Sequence, residues 1–422
     1  MSSFLHSIEN EIKLPKMAKI RQNFERPQVA VRQEVISRLN QPEIRNMLKP
    51  GAKIAITAGS RGVANIALIL KTIISFVKEQ GGQPFLFSAM GSHGGVTEEG
   101  QREILEGFGI TPEAMGAPIY CGTEVTELCR MGDGTPICID KNAAEADGII
   151  LVNRIKAHTA FRNPIESGLV KMAVIGMGKQ VGAEICHRQG WGYMAENIEK
   201  IGKAIFKEAN ILFGVGLIEN AYEETSKVVV LPKAEIMVQE PVLLEEAKRL
   251  MASIKFPRFD VLVVDQIGKN ISGDGLDPNI TGTYFTPYAS GGPVTENVVI
   301  LDLTEQSHGS AIGIGAATVT TKRFFDKIDF EKTYPNCLTS KVLDVCKIPL
   351  IAPSDKAAIA AAVYACALAD RSHLKIVRIK DSLHVDEIFI SEELYQEALQ
   401  NPEIEILQEP AEMLFDANGN LF

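Results

Sequence analysis

The chain has 422 residues, 45% of them hydrophobic and 23% charged, with a formal net charge of −10 and a pI near 5.4. That length exceeds what one ordinary core supports, so two domains are expected in a globular protein. The acidic balance disfavours nucleic acid as main partner, because phosphate binding needs a basic face, and apolar runs such as ANIALILKTIISFV are too short and interrupted to span a membrane.

The opening MSSFLHSIENEIKLPKM carries acidic residues and no long apolar stretch, so no secretory signal is expected. Seven cysteines, odd in number and without a CxxC pair, point to reduced thiols and a cytoplasmic protein. Residues 1–50 read as an exposed lead-in with an amphipathic helix around Pro27–Leu48. KIAITAG (53–59) reads as a buried strand, and VANIALILKTIISFVKEQGG (63–82) as an apolar helix closed by glycines. PFLFSAMG (84–91) is a second predicted strand. A helix over 96–109 follows, with Thr97 as its N-cap. This β-α-β-α order predicts parallel strands.

YCGTEVTELCR and ICID read as short strands or a hairpin, and DGIILV (147–152) as a buried strand. Further on, a helix (194–209), strands (211–220 and 227–236) and an amphipathic helix (242–254) complete a first domain over 1–252. The segment Lys255-Phe256-Pro257-Arg258 reads as a seam. Beyond it, predicted strands at 259–270, 298–304 and 375–381 and a helix at 354–370 make a smaller α/β domain over 257–422. The tail reads as short elements and turns. The expected fold is α/β with two domains: a mostly parallel N-terminal sheet with flanking helices, and a C-terminal domain closing over a cleft that holds the site.

Three predicted strands in the first domain end in polar loops. They deliver Ser60 and Arg61, then Ser92 and His93, then Arg154, Lys156 and His158. Open α/β sheets bind ligands at such ends. Two imidazoles titrating near neutrality suit proton exchange with a bound molecule, and an arginine suits a carboxylate or phosphate. Ser60-Arg61-Gly62 and Ser167-Gly168 both precede helix-like segments, whose amides attract anions. There is no GxGxxG after the first strand and no P-loop; MAVIGMG reads as a packed helix end.

SAMGSHGGVT, NRIKAH, ESGLVKM and then His187, in that order, resemble the N-terminal domain of the lactate racemase family. The resemblance is good over residues 50–220 and looser beyond. It implies a nickel-pincer nucleotide cofactor, linked covalently to Lys171 within the turn formed by Ser167 and Gly168, with His187 as nickel ligand 16 residues later. It implies His93 and His158 as paired acid/base residues, Arg61 as the substrate-binding arginine and Ser60 beside the cofactor. The implied activity is racemisation or epimerisation of a 2-hydroxy acid, by His-assisted hydride transfer to and from the cofactor's pyridinium.

Two departures predict a substrate other than lactate. The first loop reads Ala-Gly-Ser-Arg, without the family's acidic residue, and LDPNITGTYF lacks its Gln and Lys; Lys269 and Asn270 stand nearby as substitutes. Alternatives are a sugar-acid dehydratase or lyase on the same scaffold, or a non-catalytic nucleotide- or nickel-binding protein. A small-molecule hydroxy acid is the expected partner.

Overall fold

The structure, a computed structural model, describes residues 3–367 and 373–422. The chain forms two compact units: Arg26–Met251, and a discontinuous one in which the segment up to Glu25 joins Ala252–Phe422. Sheets flanked by helices make it α/β. Among the described residues no helix is long and apolar enough to cross a membrane.

In the 26–251 unit, six strands form one sheet: β1 (Lys53–Ala58), β2 (Gln83–Ser88), β3 (Ile119–Tyr120), β4 (Gly148–Arg154), β5 (Ile211–Glu219) and β6 (Thr225–Pro232). Their spatial order is β3-β2-β1-β4-β5-β6, parallel except for β6. Side chains alternate across the sheet and so feed two cores. Ala55, Phe85, Phe87, Ile149 and Leu151 pack into one. Ile54, Ile56, Leu86, Ile150 and Val152 pack into the other. Covering both faces explains why β1 is buried along five of its six residues.

Helix α1 (Ile66–Glu79) lies on the second core, and α2 (Glu98–Gly107) adds Leu105 to it. Thr97 caps α2 as expected, its hydroxyl accepting from Gly100 N at 3.1 Å. On the first core lie α3 (Lys179–His187), α4 (Met194–Glu208) and α5 (Lys233–Leu250). Ile198, Ile201 and Ile205 recur on one face of α4 and are buried, each worth about 1.5–3 kcal/mol. Strands Val125–Arg130 and Pro136–Asp140 form the anticipated hairpin. One boundary differs: α5 begins at Lys233 and continues through Pro241, whereas the sequence suggests a strand to 236 and a helix only after the proline. Burial of Ile236, Leu243, Leu244 and Ala247 outweighs the single backbone bond a proline removes.

The other unit has an eight-stranded sheet, in the order Leu350–Ala352, Val319–Thr321, Asn297–Leu303, Val261–Ile267, Ile376–Ile379, Glu387–Ser391, Met17–Gln22 and Ile404–Ala411. The first five are parallel and the last three antiparallel. The lead-in is therefore not simply exposed. Met17–Gln22 sits between two tail strands, Ile20 pairing with Ile388 and Ile406, and Ala18 and Ile20 are fully buried. The helix expected over 354–370 runs from Asp355 to Ala365; positions 368–370 lie outside the described residues.

Candidate active site

In the six-stranded sheet the chain runs outward from β1 through β2 and β3 on one side and through β4 and β5 on the other. The topological switch therefore falls between β1 and β4, whose carboxyl ends carry Ser60-Arg61 and Lys156-Ala157-His158. His93 follows β2, the neighbour of β1. Neighbouring strands are ~4.8 Å apart, so the strands bearing His93 and His158 are separated by about 10 Å.

The structure gathers the anticipated residues into two groups. In the first, His93 Nδ1 lies 2.5 Å from Ser60 Oγ, and Nε2 lies 3.3 Å from an Arg61 guanidinium nitrogen. A guanidinium only donates. Nε2 is therefore the acceptor, and the ring hydrogen sits on Nδ1, donated to Ser60.

The second group surrounds His158. The Ala160 amide donates to His158 Nδ1 at 3.0 Å, which leaves the ring hydrogen of neutral imidazole on Nε2. Nε2 faces Lys171 Nζ at 2.6 Å. That contact is a hydrogen bond when the lysine nitrogen accepts, as a free amine. Burial holds His158 well below the ordinary histidine range, helped by the positive charges of Lys171, His187, Arg162 and Lys156. Trp191 links the group: its ring lies 5.7 Å from that of His158 and 5.0 Å edge-on to that of His187. Trp191 thus packs against both imidazoles.

Two buried carboxylates, invisible as site residues in the sequence, hold these groups. Glu166, fully buried, accepts from the His158 amide at 2.7 Å and pairs with Lys248 at 3.0 Å, fixing the loop between His158 and Lys171. Ser167 closes that loop through its carbonyl, which accepts from Lys156 N, and the Gly168 carbonyl accepts from Asn153 Nδ2 at 2.8 Å. Glu240, on α5 and also fully buried, accepts from Val170 N at 3.0 Å, with Leu169 N also directed at it. Gly168 is needed for packing: a Cβ there would lie 2.5 Å from Glu240 Oε1. Burial pushes the Glu240 carboxyl up to about 7.

From this capped start the backbone runs through Leu169–Lys171, a π-turn at Met172–Gly176 and α3 to His187. The packed helix end read in MAVIGMG is therefore a π-turn immediately after Lys171; such turns occur often at functional sites. Cys186 is buried and its thiol pushed up to about 12 by that burial, an inert neighbour of His187.

Lys269 and Asn270 belong to the other unit, in the loop after Val261–Ile267. Lys269 N donates to Ser307 Oγ at 2.9 Å, and Asn270 Oδ1 accepts from Thr304 Oγ1 at 2.7 Å. In the same unit buried Asp381 takes His384 Nδ1–H at 2.8 Å.

The fold and strand-end site define a doubly wound α/β protein with a lysine, two oriented histidines and an arginine at its switch point. Residues 6–189 match the family described as the lactate racemase N-terminal domain. The matched span includes the SAMGSHGGVT, NRIKAH and ESGLVKM segments and ends just past His187. No curated protein matches in sequence. Among solved structures, the lactate racemase apoprotein from Thermoanaerobacterium thermosaccharolyticum shares the fold, with a TM-score of 0.50 and 13% identity over 80% of this chain and 84% of that one.

Proposed function

We propose that this racemase-family protein is an isomerase that inverts the hydroxyl-bearing carbon of a 2-hydroxy acid, using a nickel-pincer nucleotide held by Lys171 and His187. The observation that carries the reading is the placement of two histidines, His93 and His158, after the strands on either side of β1, beside Arg61 and Lys171 respectively. Inversion needs a base on one side of the carbon and an acid on the other, and an imidazole serves as either by passing between its neutral and protonated forms.

The residues fit the proposed cofactor. Lys171 Nζ stands in the site, 2.6 Å from His158 Nε2, and supplies the amine that a covalent link requires. Among the described residues no set of three or more His, Cys, Asp or Glu is grouped to hold a metal. A nickel ion at His187 would take an imidazole nitrogen from the chain, and the cofactor would supply further donors. When bound, that cofactor would supply a reversible hydride acceptor. Arg61 holds the carboxylate. With the family's first-loop acid absent, the preferred substrate is a hydroxy acid other than lactate.

The test is a panel of single-enantiomer 2-hydroxy acids incubated with protein made alongside the cofactor-building enzymes, followed by chiral analysis and mass spectrometry. Interconversion without mass loss is expected. Loss of water from the product would identify a dehydratase, and binding without conversion across the panel would overturn the enzymatic reading.

A further inference from the structure

Midway between Lys171 and His187 stands a residue the proposed chemistry does not use. Lys179 has a left-handed backbone, φ 54°, which a lysine rarely adopts, and its side chain is 1% exposed. Its Nζ lies 2.9 Å from buried Asp140 Oδ2 and donates to both the carbonyl and the hydroxyl of Ser88. Ser88 is the last residue of β2, the strand that leads to His93. Its hydroxyl continues to Gln101 Oε1 at 2.5 Å, and Gln101 Oε1 also accepts from Gly122 N at 3.0 Å. The amine thus ties one strand end to the hairpin's last residue and, through Ser88, to α2.

The same two segments meet at their backbones. Gly91 N donates to Gly176 O at 3.4 Å, and a Cβ on Gly176 would approach Ala89 O to 2.9 Å. This approach leaves no room to adjust the spacing with side chains, so the depth of the contact depends on what pulls the strand end inward. A buried ammonium can do this because its charge is met by Asp140, and its remaining hydrogens are directed at Ser88.

We infer that Lys179 is a positioning residue: paired with Asp140, it pins the end of β2 against the Lys171–His187 helical run and so sets where the His93 imidazole stands relative to Lys171. The inference rests on the proposed racemase reading for its catalytic consequence, but not for its structural one.

The test uses the full chain. Lys179→Met alone strands a buried carboxylate and is expected to destabilise the fold, so the informative variant is Lys179→Met with Asp140→Asn. Asparagine keeps the cap on Ala143 N. The double variant is expected to fold and to acquire the Lys171 adduct as wild type does. Its kcat should fall by roughly tenfold to a hundredfold with KM little changed, and the NMR titration of the His93 imidazole in cofactor-free protein should shift. Should that variant unfold, Asp140→Asn alone gives a graded form of the same shift. An unchanged His93 titration in the folded variant overturns the inference, and unchanged kcat does the same. If wild type proves inactive on every hydroxy acid, the racemase reading fails while the His93 titration still decides the role of Lys179.

Discussion

His93 and His158 differ in which ring nitrogen carries hydrogen, and each difference traces to one neighbour: the Arg61 guanidinium for His93, the Ala160 amide for His158. His93→Gln and His158→Gln should therefore each lower kcat in both directions by ~10²–10⁴, measured by polarimetry or chiral chromatography. Full activity in either variant would remove that histidine from the proton path. Arg61→Lys keeps the charge but loses the planar fork, so it should raise KM more than it lowers kcat. These side chains were legible in the sequence because they stand in glycine-rich or polar loops just after apolar strands. Glu166 and Glu240 were not, since a carboxylate is ordinarily solvent-exposed and only the folded chain shows the amides that bury it.

At the scale of elements, the helical run from Leu169 to His187 depends on its capped start. Glu240 is buried there, with Oε1 unpartnered among the described residues. Its carboxyl is raised from 4.5 to about 7, chiefly by burial. A carboxyl whose folded value exceeds its unfolded one contributes stability that is complete below the unfolded value and is lost as pH rises through the folded value. The 26–251 unit should therefore lose stability between pH 4.5 and about 7, by on the order of 3 kcal/mol at ~1.4 kcal/mol per pH unit. Glu240→Gln keeps an oxygen for Val170 N and should flatten that slope in thermal melts followed across this range. An unchanged slope would show that Glu240 is not its source. That a helix-like segment follows Ser167-Gly168 is readable in advance. The π-turn is not, because it depends on Gly91 and Ala89 pressing against Ile175 and Gly176 from a different strand end.

For the molecule as a whole, the first strand belongs with the last ones. Met17–Gln22 completes a sheet whose neighbours come from the tail, a pairing no local pattern announces. Its buried face can be tested: Ile20→Ala should cost about 2–5 kcal/mol. Hydrogen exchange should place the lost protection in Glu387–Ser391 and Ile404–Ala411, with the 26–251 sheet unaffected. Equal loss across both sheets would contradict that assignment. Parallel strands were readable as apolar runs broken by glycine-rich turns, so the α/β class was legible; the discontinuous unit was not, because its closure is made by residues at opposite ends of the chain.

The anchoring of a cofactor by Lys171, with its metal held by His187, is the core of the proposed function. It is tested most directly by intact and peptide mass spectrometry, with metal analysis, on protein made alongside the cofactor-building enzymes. A nucleotide-sized adduct on Lys171 with stoichiometric nickel is expected. Lys171→Ala should lose the adduct, and His187→Ala should keep it while losing nickel. An adduct on another residue, or nickel retained in His187→Ala, would contradict the assignment.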